Sequence, residues 1–402
     1  MMKQEKISHK KLVGIAGLGW MFDAMDVGML SFIIATLHHE WNLSPQEMSW
    51  IGSVNSIGMA IGALLFGLLA DQIGRKHVFM LTVVLFSLAS GFSALSTSFA
   101  IFLVFRFFIG MGLGGELPVA STLVSESVPV HLRGRVVVLL ESFWAAGWLL
   151  AALLSYYVIP SYGWRVALLI SALPAFYAIY LRIKMPDSPK FTSKKETKRA
   201  TVIERITMIW SKKYSKATLM LWILWFTVVF SYYGMFLWLP SVMILKGFTL
   251  IKSFEYVLIM TLAQLPGYFS AAFLIERWGR KWVLVLYLMG TALSAYFFGA
   301  ADSLWYLLTA GIFLSFFNLG AWGALYAYTP EQYPTVIRGT GTGMAAAFGR
   351  IGGILGPLFV GYCVAANLTI STIFLYFTAS IILGALAVFF LGTETKNTVI
   401  DE

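Results

Sequence analysis

Long apolar segments constrain the fold of this chain more than any other feature of its sequence. A helix needs about 20 apolar residues to cross the hydrocarbon core of a bilayer. Twelve segments of roughly that length occur along the chain, six before and six after a polar stretch. They lie at residues 12–37, 48–70, 77–97, 101–124, 136–158, 164–184, 217–244, 254–275, 282–300, 303–328, 339–364 and 369–391. The sequence therefore predicts an all-α polytopic membrane protein with twelve transmembrane helices.

The composition agrees with a bundle in lipid rather than with several soluble domains. Hydrophobic residues make up 59% of the chain and charged residues only 12%, against roughly a quarter charged in soluble domains. Cys363 is the single cysteine, which rules out a disulfide framework and a Cys-rich metal site. Neither metal-ligand spacing nor a nucleophile–base pair is present in the sequence. We therefore predict that the protein is not an enzyme and uses no metal or organic cofactor.

An internal repeat relates the two halves of the chain. A loop that contains Asp71 and Arg75 returns 205 positions later with Glu276 and Arg280. A second cluster recurs at the same offset, with Glu126, Pro129, Arg133 and Gly134 followed by Glu331, Pro334, Arg338 and Gly339. Two clusters that keep their internal spacing at one offset indicate a duplicated unit of about two hundred residues. The twelve helices are therefore predicted to form two related six-helix halves.

Basic residues are distributed unequally between the two sides of the membrane. Nearly all of them fall at the N-terminus, in the central linker and in the loops on the same side; the opposite side has only Arg165, Lys246 and Lys252. The positive-inside rule then places both termini in the cytoplasm, and the net charge of +10 does not indicate nucleic-acid binding. The predicted domains are an N-terminal half at 1–184, a basic cytoplasmic linker at 185–216 and a C-terminal half at 217–402.

Two acidic side chains lie three residues apart on one face of the first predicted helix. Asp23 and Asp26 are both inside the apolar span, where a carboxylate is costly and must face a cavity or a partner. A buried carboxyl that gains and loses a proton is suited to carrying protons across a membrane. We predict that Asp23, Asp26 and Glu116 couple transport to protons. The alternative for Asp23 and Asp26 is a structural hydrogen bond to a neighbouring helix.

Arginines inside apolar spans are the candidates for binding an anion. Arg350 lies about three turns into its predicted helix and Arg106 about one turn, depths at which a guanidinium needs a partner. An anionic ligand is a suitable partner. A fixed salt bridge is the alternative for Arg350; Arg106 could instead reach the membrane surface or act as a counter-charge for Asp26 or Glu116. The predicted substrate-binding set is Arg350, Arg106, Trp20, Trp144, Trp322, Tyr326, Asn318 and Gln264.

Charged clusters at the predicted cytoplasmic helix ends indicate a latch. Acidic side chains there can pair with arginines and with helix N-termini, contacts that hold only while that face is closed. We therefore predict a gating role rather than a substrate-binding one for these residues. They are Asp71, Arg75, Glu126 and Arg133 in the first half, and Glu276, Arg280, Glu331 and Arg338 in the second.

These motifs resemble those of the major facilitator superfamily. The repeated loop is similar to the superfamily's loop signature, and the sequence Arg106…Gly110…Gly112 is similar to its helix-4 motif. The cluster from Glu126 to Arg135 resembles one seen in sugar-porter relatives. The resemblance spans the whole chain. It implies twelve helices in two related halves and alternating access around one central site.

Two short stretches resemble a narrower group within that superfamily, which includes aromatic-acid:proton symporters and bacterial niacin permeases. They are Asp23-Ala-Met-Asp26 in helix 1 and Ala347-Phe-Gly-Arg350 in helix 11. This resemblance implies import of a small aromatic monocarboxylate, niacin first of all, through a bacterial cell membrane. The buried acids indicate the proton gradient as the driving force, and facilitated diffusion is the alternative. An arginine would bind the carboxylate, and aromatic side chains would stack on the ring.

Other cargoes remain open on the same fold: another aromatic acid, a sugar or polyol, or an exported drug. The helix-10 signature of sugar porters is missing around 318–322, and the helix-5 signature of drug antiporters is missing from 141–154. A receptor built on a transporter body would need an added soluble domain, which the sequence does not predict. Without a coiled coil or cytosolic module we expect a monomer whose partners are a small-molecule substrate and the lipid bilayer.

Overall fold

The computed structural model describes residues 9–73, 75–127, 133–173, 176 and 202–396, and in these ranges all regular secondary structure is helical. The helices in chain order are α1 (His9–Trp41), α2 (Pro45–Ile73), α3 (Arg75–Ser93), α4 (Phe99–Ser127), α5 (Arg133–Tyr162), α6 (Trp164–Ser171), α7 (Val202–Ile209), α8 (Ser215–Leu245), α9 (Leu250–Leu262), α10 (Gln264–Trp278), α11 (Arg280–Ala300), α12 (Leu304–Glu331), α13 (Thr335–Ala365) and α14 (Ile370–Leu391).

Most of these helices are long and apolar enough to cross a bilayer. Nine spans meet that criterion among the described residues, and shorter apolar helices run over Met80–Ser93 and Phe99–Gly114. Together they correspond to eleven of the twelve predicted segments. The remaining predicted segment, 164–184, begins as α6, and most of its second part lies outside the described residues.

One predicted segment, 254–275, is interrupted in the structure. The helix is interrupted at Ala263, between α9 and α10. Pro266 explains the break, because it has no N–H to donate to the carbonyl of Leu262 and its ring crowds that carbonyl in a continuous helix. Proline is well tolerated in the first turn of a new helix, which is where α10 places it.

The chain divides into two compact units. The first unit comprises Met1–Thr36 and Trp50–Thr197, and the second comprises Leu37–Ser49 and Lys198–Glu402. The predicted linker at 185–216 lies mostly outside the described residues; α7, from its end, belongs to the second unit.

Glycines let α2 and α4 pack backbone to backbone in the first unit. A Cβ built on any of four glycines would overlap backbone atoms of the opposite helix. The four are Gly58 and Gly62 of α2, which face Phe107 and Met111, and Gly110 and Gly114 of α4, which face Asn55 and Met59. Small residues four apart are how membrane helices reach such close approach. This contact fixes the position of α4 in the unit. Arg106 lies within the apolar span of α4, so its position is fixed as well.

Glycines also allow close packing of α8 against α13 in the second unit. Gly349, Gly352 and Gly356 face Trp225, Phe226 and Phe230 of α8. Arg350 lies within this glycine run, so the backbone that carries it is held directly against α8.

Candidate functional site

A buried ion pair joins α1 to α4 in the first unit. Nη1 of Arg106 donates to Oδ2 of Asp26 at 3.1 Å, and the exposed fractions of the two side chains are 0% and 1%. The Ser90 hydroxyl of α3 donates to Oδ1 of Asp26 at 3.1 Å. Ser171 of α6 forms a further hydrogen bond with the Ser90 hydroxyl. The Asp26 carboxylate is thus connected to side chains from three other helices.

The Arg106 guanidinium retains hydrogen-bonding capacity beyond this pair. Its Nε and Nη2 are buried and have no hydrogen-bond partner among the described residues. The ring of Phe102 lies beneath it, 5.1 Å from Cζ to the ring centroid, and Trp164 packs edge-on against Phe102. A guanidinium that has unused N–H donors in an apolar environment can donate hydrogen bonds to a second, anionic partner.

The other two predicted proton-coupling residues have different outcomes. Asp23 lies one turn before Asp26 on α1 and is equally buried, with 1% of its surface exposed. Glu116 lies on α4, but its side chain is outside the described part of the structure.

Two predicted aromatic residues meet between α1 and α5. The rings of Trp20 and Trp144 have centroids 4.7 Å apart with planes inclined by 42°, and both side chains are buried. The helices approach closely because Gly147 of α5 faces the backbone of Met21. The Trp20–Trp144 pair therefore has a fixed position within the first unit.

Glu141 is a site residue that the predicted set left out. It lies one turn before Trp144 on α5 and is fully buried, and the Trp20 indole lies close to its carboxyl group. Neither carboxyl oxygen meets hydrogen-bond geometry with any described residue. The sequence signal was available, since Glu141 is an acidic residue inside the apolar segment 136–158.

The predicted aromatic residues of the second unit lie in one cluster. Trp322 of α12 packs on Tyr232 of α8 with centroids 4.8 Å apart and lies 6.0 Å from Tyr326. Tyr326 in turn packs edge-on against Trp225 at 5.0 Å. The indole nitrogen of Trp322 is buried without a hydrogen-bond acceptor in the described ranges. The cluster thus combines apolar faces with one available donor.

The two predicted amides of the second unit are also buried with unused polar atoms. Gln264 begins α10 and Asn318 lies on α12, with 0% and 3% of their surfaces exposed. Both amide atoms of Gln264, and Oδ1 of Asn318, lack hydrogen-bond partners among the residues described. Buried polar groups normally have partners, so these amides are suited to a ligand. Arg350 is half-buried on α13.

The predicted gating residues of the second half are partly brought together. Arg280, in the first turn of α11, lies 3.4 Å from Glu276 of α10 and 3.3 Å from Glu331 of α12. Arg338 has a different contact, because its Nε donates to the carbonyl of Tyr333 at 3.3 Å. The first-half gating residues are Asp71, Arg75, Glu126 and Arg133, and their side chains are outside the described part of the structure.

Glu394, just beyond α14, completes the second-half cluster and was not in the predicted set. Its carboxylate accepts the backbone N–H groups of Arg280 at 2.9 Å and Lys281 at 3.1 Å. A carboxylate is favoured there because unpaired N–H groups and the helix dipole meet at the N-terminus of a helix. The preceding Gly279 has φ of +93° and is too close to Glu394 for a side chain. Thr395 donates to Glu331, so the chain after α14 is tied to the cluster.

The helical architecture and the charges buried in its apolar spans define a multi-pass membrane transporter. Comparison with known families is specific. The chain matches the Major Facilitator Superfamily over residues 16–270 and 256–401, and it belongs to that family. The predictions of the superfamily, of the all-helical fold and of a transporter rather than an enzyme are confirmed.

Several individual proteins are similar over their whole length. The chain is 67% identical over 401 residues to a candidate niacin/nicotinamide transporter NiaP of Bacillus subtilis (strain 168), covering 100% of both chains. It is 47% identical to the niacin transporter NiaP of Acinetobacter baylyi (strain ATCC 33305 / BD413 / ADP1), over 98% of this chain and 96% of that protein. The partially occluded, inward-open xylose transporter XylE of E. coli superimposes with a TM-score of 0.79, covering 96% of this chain and 98% of that chain. At 19% identity, XylE shows the fold alone.

Proposed function

We propose that this protein imports niacin, as nicotinate or nicotinamide, through the bacterial cell membrane. The observation that carries the proposal is the 47% identity, over nearly the full length, to a protein named as a niacin transporter. The buried side chains fit such a cargo chemically. Nicotinate is a flat ring with one carboxylate. Both units hold buried aromatic side chains and amides, and Arg106 is buried in the first unit.

Proton coupling through Asp26 is the second part of the proposal. While Asp26 is ionised, it balances the charge of Arg106 across a 3.1 Å ion pair. A proton on Asp26 would leave the buried guanidinium without its counter-charge, which is a costly state. The substrate carboxylate would then supply the missing charge. Binding of the proton and binding of the anion therefore favour each other, as symport requires.

Arg350 is the other arginine that could bind the substrate carboxylate. It lies on α13 in the second unit, and the predicted role remains part of the proposal. We further propose that the substrate site opens to one side of the membrane at a time. The Arg280 cluster with Glu276, Glu331 and Glu394 would act as a latch during that cycle.

The test is uptake of radiolabelled nicotinate into proteoliposomes, with and without an inward proton gradient. We expect the gradient to drive accumulation in the wild-type protein. The Asp26→Asn variant should lose gradient-driven accumulation, because an amide at this position cannot take up and release the proton. Asp302→Asn is the matched control: it removes an exposed aspartate after α11 and should leave accumulation unchanged.

Two other results would revise the proposal in different ways. Uptake that only equilibrates, with or without the gradient, would contradict proton coupling and retain niacin as the cargo. No uptake by protein that is shown to be folded would contradict the niacin assignment. Sugars, other aromatic acids and exported drugs would then be tested as cargoes.

A further inference from the structure

Glu141 is a fully buried acidic residue that the proposed proton coupling does not use. The partners of Asp26 come from α3 and α4, whereas Glu141 lies on α5 and the indole close to it belongs to Trp20 of α1. Glu141 therefore needs a role of its own.

The surroundings of Glu141 leave its hydrogen-bonding capacity unused. Both carboxyl oxygens are buried and find no donor among the described residues. In an apolar span, a carboxyl group in that position is costly unless it holds a proton or a ligand provides a partner. The indole N–H of Trp20 lies close to this carboxyl group but outside good hydrogen-bond geometry, and it finds no other acceptor among the described residues. A polar ligand atom would therefore find hydrogen-bonding groups here that the protein itself does not satisfy.

Flat aromatic faces stand next to this carboxyl group. Trp20 and Trp144 are in contact at 4.7 Å between ring centroids, and Glu141 precedes Trp144 by one helical turn. Aromatic side chains offer a planar ligand a large apolar contact and a preferred stacking geometry. The Glu141 carboxyl group beside these two indole rings is therefore suited to a planar ligand whose ring contains one polar atom.

We propose that Glu141 recognises the ring nitrogen of a pyridine-type substrate and thereby separates pyridine carboxylates from benzene carboxylates. The inference rests on the proposed function and adds the group that selects the ring. A protonated carboxyl donates to the lone pair of a pyridine nitrogen, and a carboxylate accepts from a pyridinium N–H, so one shared proton suits either state. Benzoate has a C–H group at that position and would leave Glu141 unpaired. A site built for a hydrogen bond discriminates strongly against an analogue that lacks it.

Competition against labelled nicotinate uptake tests this proposal. The measured quantity is the ratio of benzoate to nicotinate concentrations that halve uptake. We expect a ratio of about ten or more for the wild-type protein, the change that one buried hydrogen bond gives. Glu141→Met, which keeps an unbranched side chain but has no donor, should bring the ratio close to one. Glu141→Gln should restore much of the preference, because its amide N–H can donate to a pyridine nitrogen.

Ser142→Ala is the matched control on the same helix. The Ser142 hydroxyl donates to the carbonyl of Leu139 in its own helix, so its removal should leave the ratio at the wild-type value. If Glu141→Met should fail to fold, Glu141→Leu is the second variant without a donor.

The possible results separate this inference from the proposed function. Wild-type uptake of nicotinate with an unchanged ratio in Glu141→Met would overturn the inference and leave the niacin assignment standing. Equal weakening of both competitors would assign Glu141 a structural role and also overturn it. If the wild-type protein takes up no nicotinate, the proposed function fails. In that case the ratio of the benzoate and nicotinate dissociation constants, measured by tryptophan fluorescence in the wild-type protein and in Glu141→Met, tests the inference.

Discussion

Asp26 and Arg106 show how a charge is accommodated inside an apolar span. Each residue alone would be a buried charge in lipid, which is costly. Together they form a pair with almost no exposed surface. The same burial makes the pair sensitive, because loss of one member leaves the other without compensation.

Removing one member of this pair should therefore cost more than removing both. We expect Arg106→Met to destabilise the protein by about 3–5 kcal/mol, and the double variant Asp26→Asn/Arg106→Met to recover much of that loss. Thermal unfolding of the purified protein in detergent measures the difference. Arg277→Met, at an exposed arginine, is the control. Equal destabilisation in the single and double variants would contradict the expected coupling.

Single residues differ in how far the sequence reveals them. Asp26 and Arg106 are conspicuous because charges are rare inside apolar spans, although their pairing was only one of several possibilities. Ser90 was not predicted, because serine is common in membrane helices and its bond to Asp26 spans 64 positions. Glu394 was missed for a similar reason: it follows the last helix, while its backbone partners lie 114 and 113 positions earlier.

At the scale of elements, glycines decide which helices approach closely. We expect Gly62→Ala to destabilise the protein by about 1–3 kcal/mol, because the added Cβ would overlap the backbone of Met111. Gly343→Ala is the matched control. A Cβ at Gly343 has no neighbour within 4 Å, and alanine has the higher helix propensity, so thermal stability should be equal or slightly higher. Equal melting temperatures for both variants would argue against tight packing of α2 on α4.

The sequence predicts where helices occur better than it predicts whether each helix is continuous. Apolar length alone predicted the spans, because a bilayer imposes that length on any helix that crosses it. The break at Ala263 was not predicted, since the apolar character continues through 254–275 while Pro266 disrupts the backbone. Contacts between helices were also beyond prediction, because they depend on which face of each helix meets its neighbour.

At the scale of the whole molecule, the repeat preserves the scaffold but not the buried charges. The positions 205 residues after Asp26 and Arg106 hold Ser231 and Gly311. Ser231 donates to the carbonyl of Thr227 in its own helix. The duplicated halves therefore have different chemistry, because the Asp26–Arg106 pair of the first unit has no counterpart at the repeated positions of the second.

The predicted orientation in the membrane can be tested with introduced cysteines. In a Cys363→Ser background, Asp302→Cys should react with an impermeant maleimide added to intact cells. Lys212→Cys should react only after permeabilisation, because the basic side of the protein is expected to face the cytoplasm. Both native side chains are exposed, so differences in burial do not explain the contrast. The reverse labelling pattern would contradict cytoplasmic termini.

The hydroxyl groups behind Asp26 have a consequence for proton counting. Oδ1 of Asp26, the hydroxyls of Ser90 and Ser171 and the carbonyl of Leu168 form a row with three hydrogen-bonding gaps. The two serine hydroxyls supply two hydrogens. While Asp26 is ionised, one of the three gaps therefore has no hydrogen. A proton on Asp26 fills every gap and points all three bonds the same way, without displacing any heavy atom. If Asp26 takes up a proton as proposed, the hydroxyl vibrations of Ser90 and Ser171 should change with it.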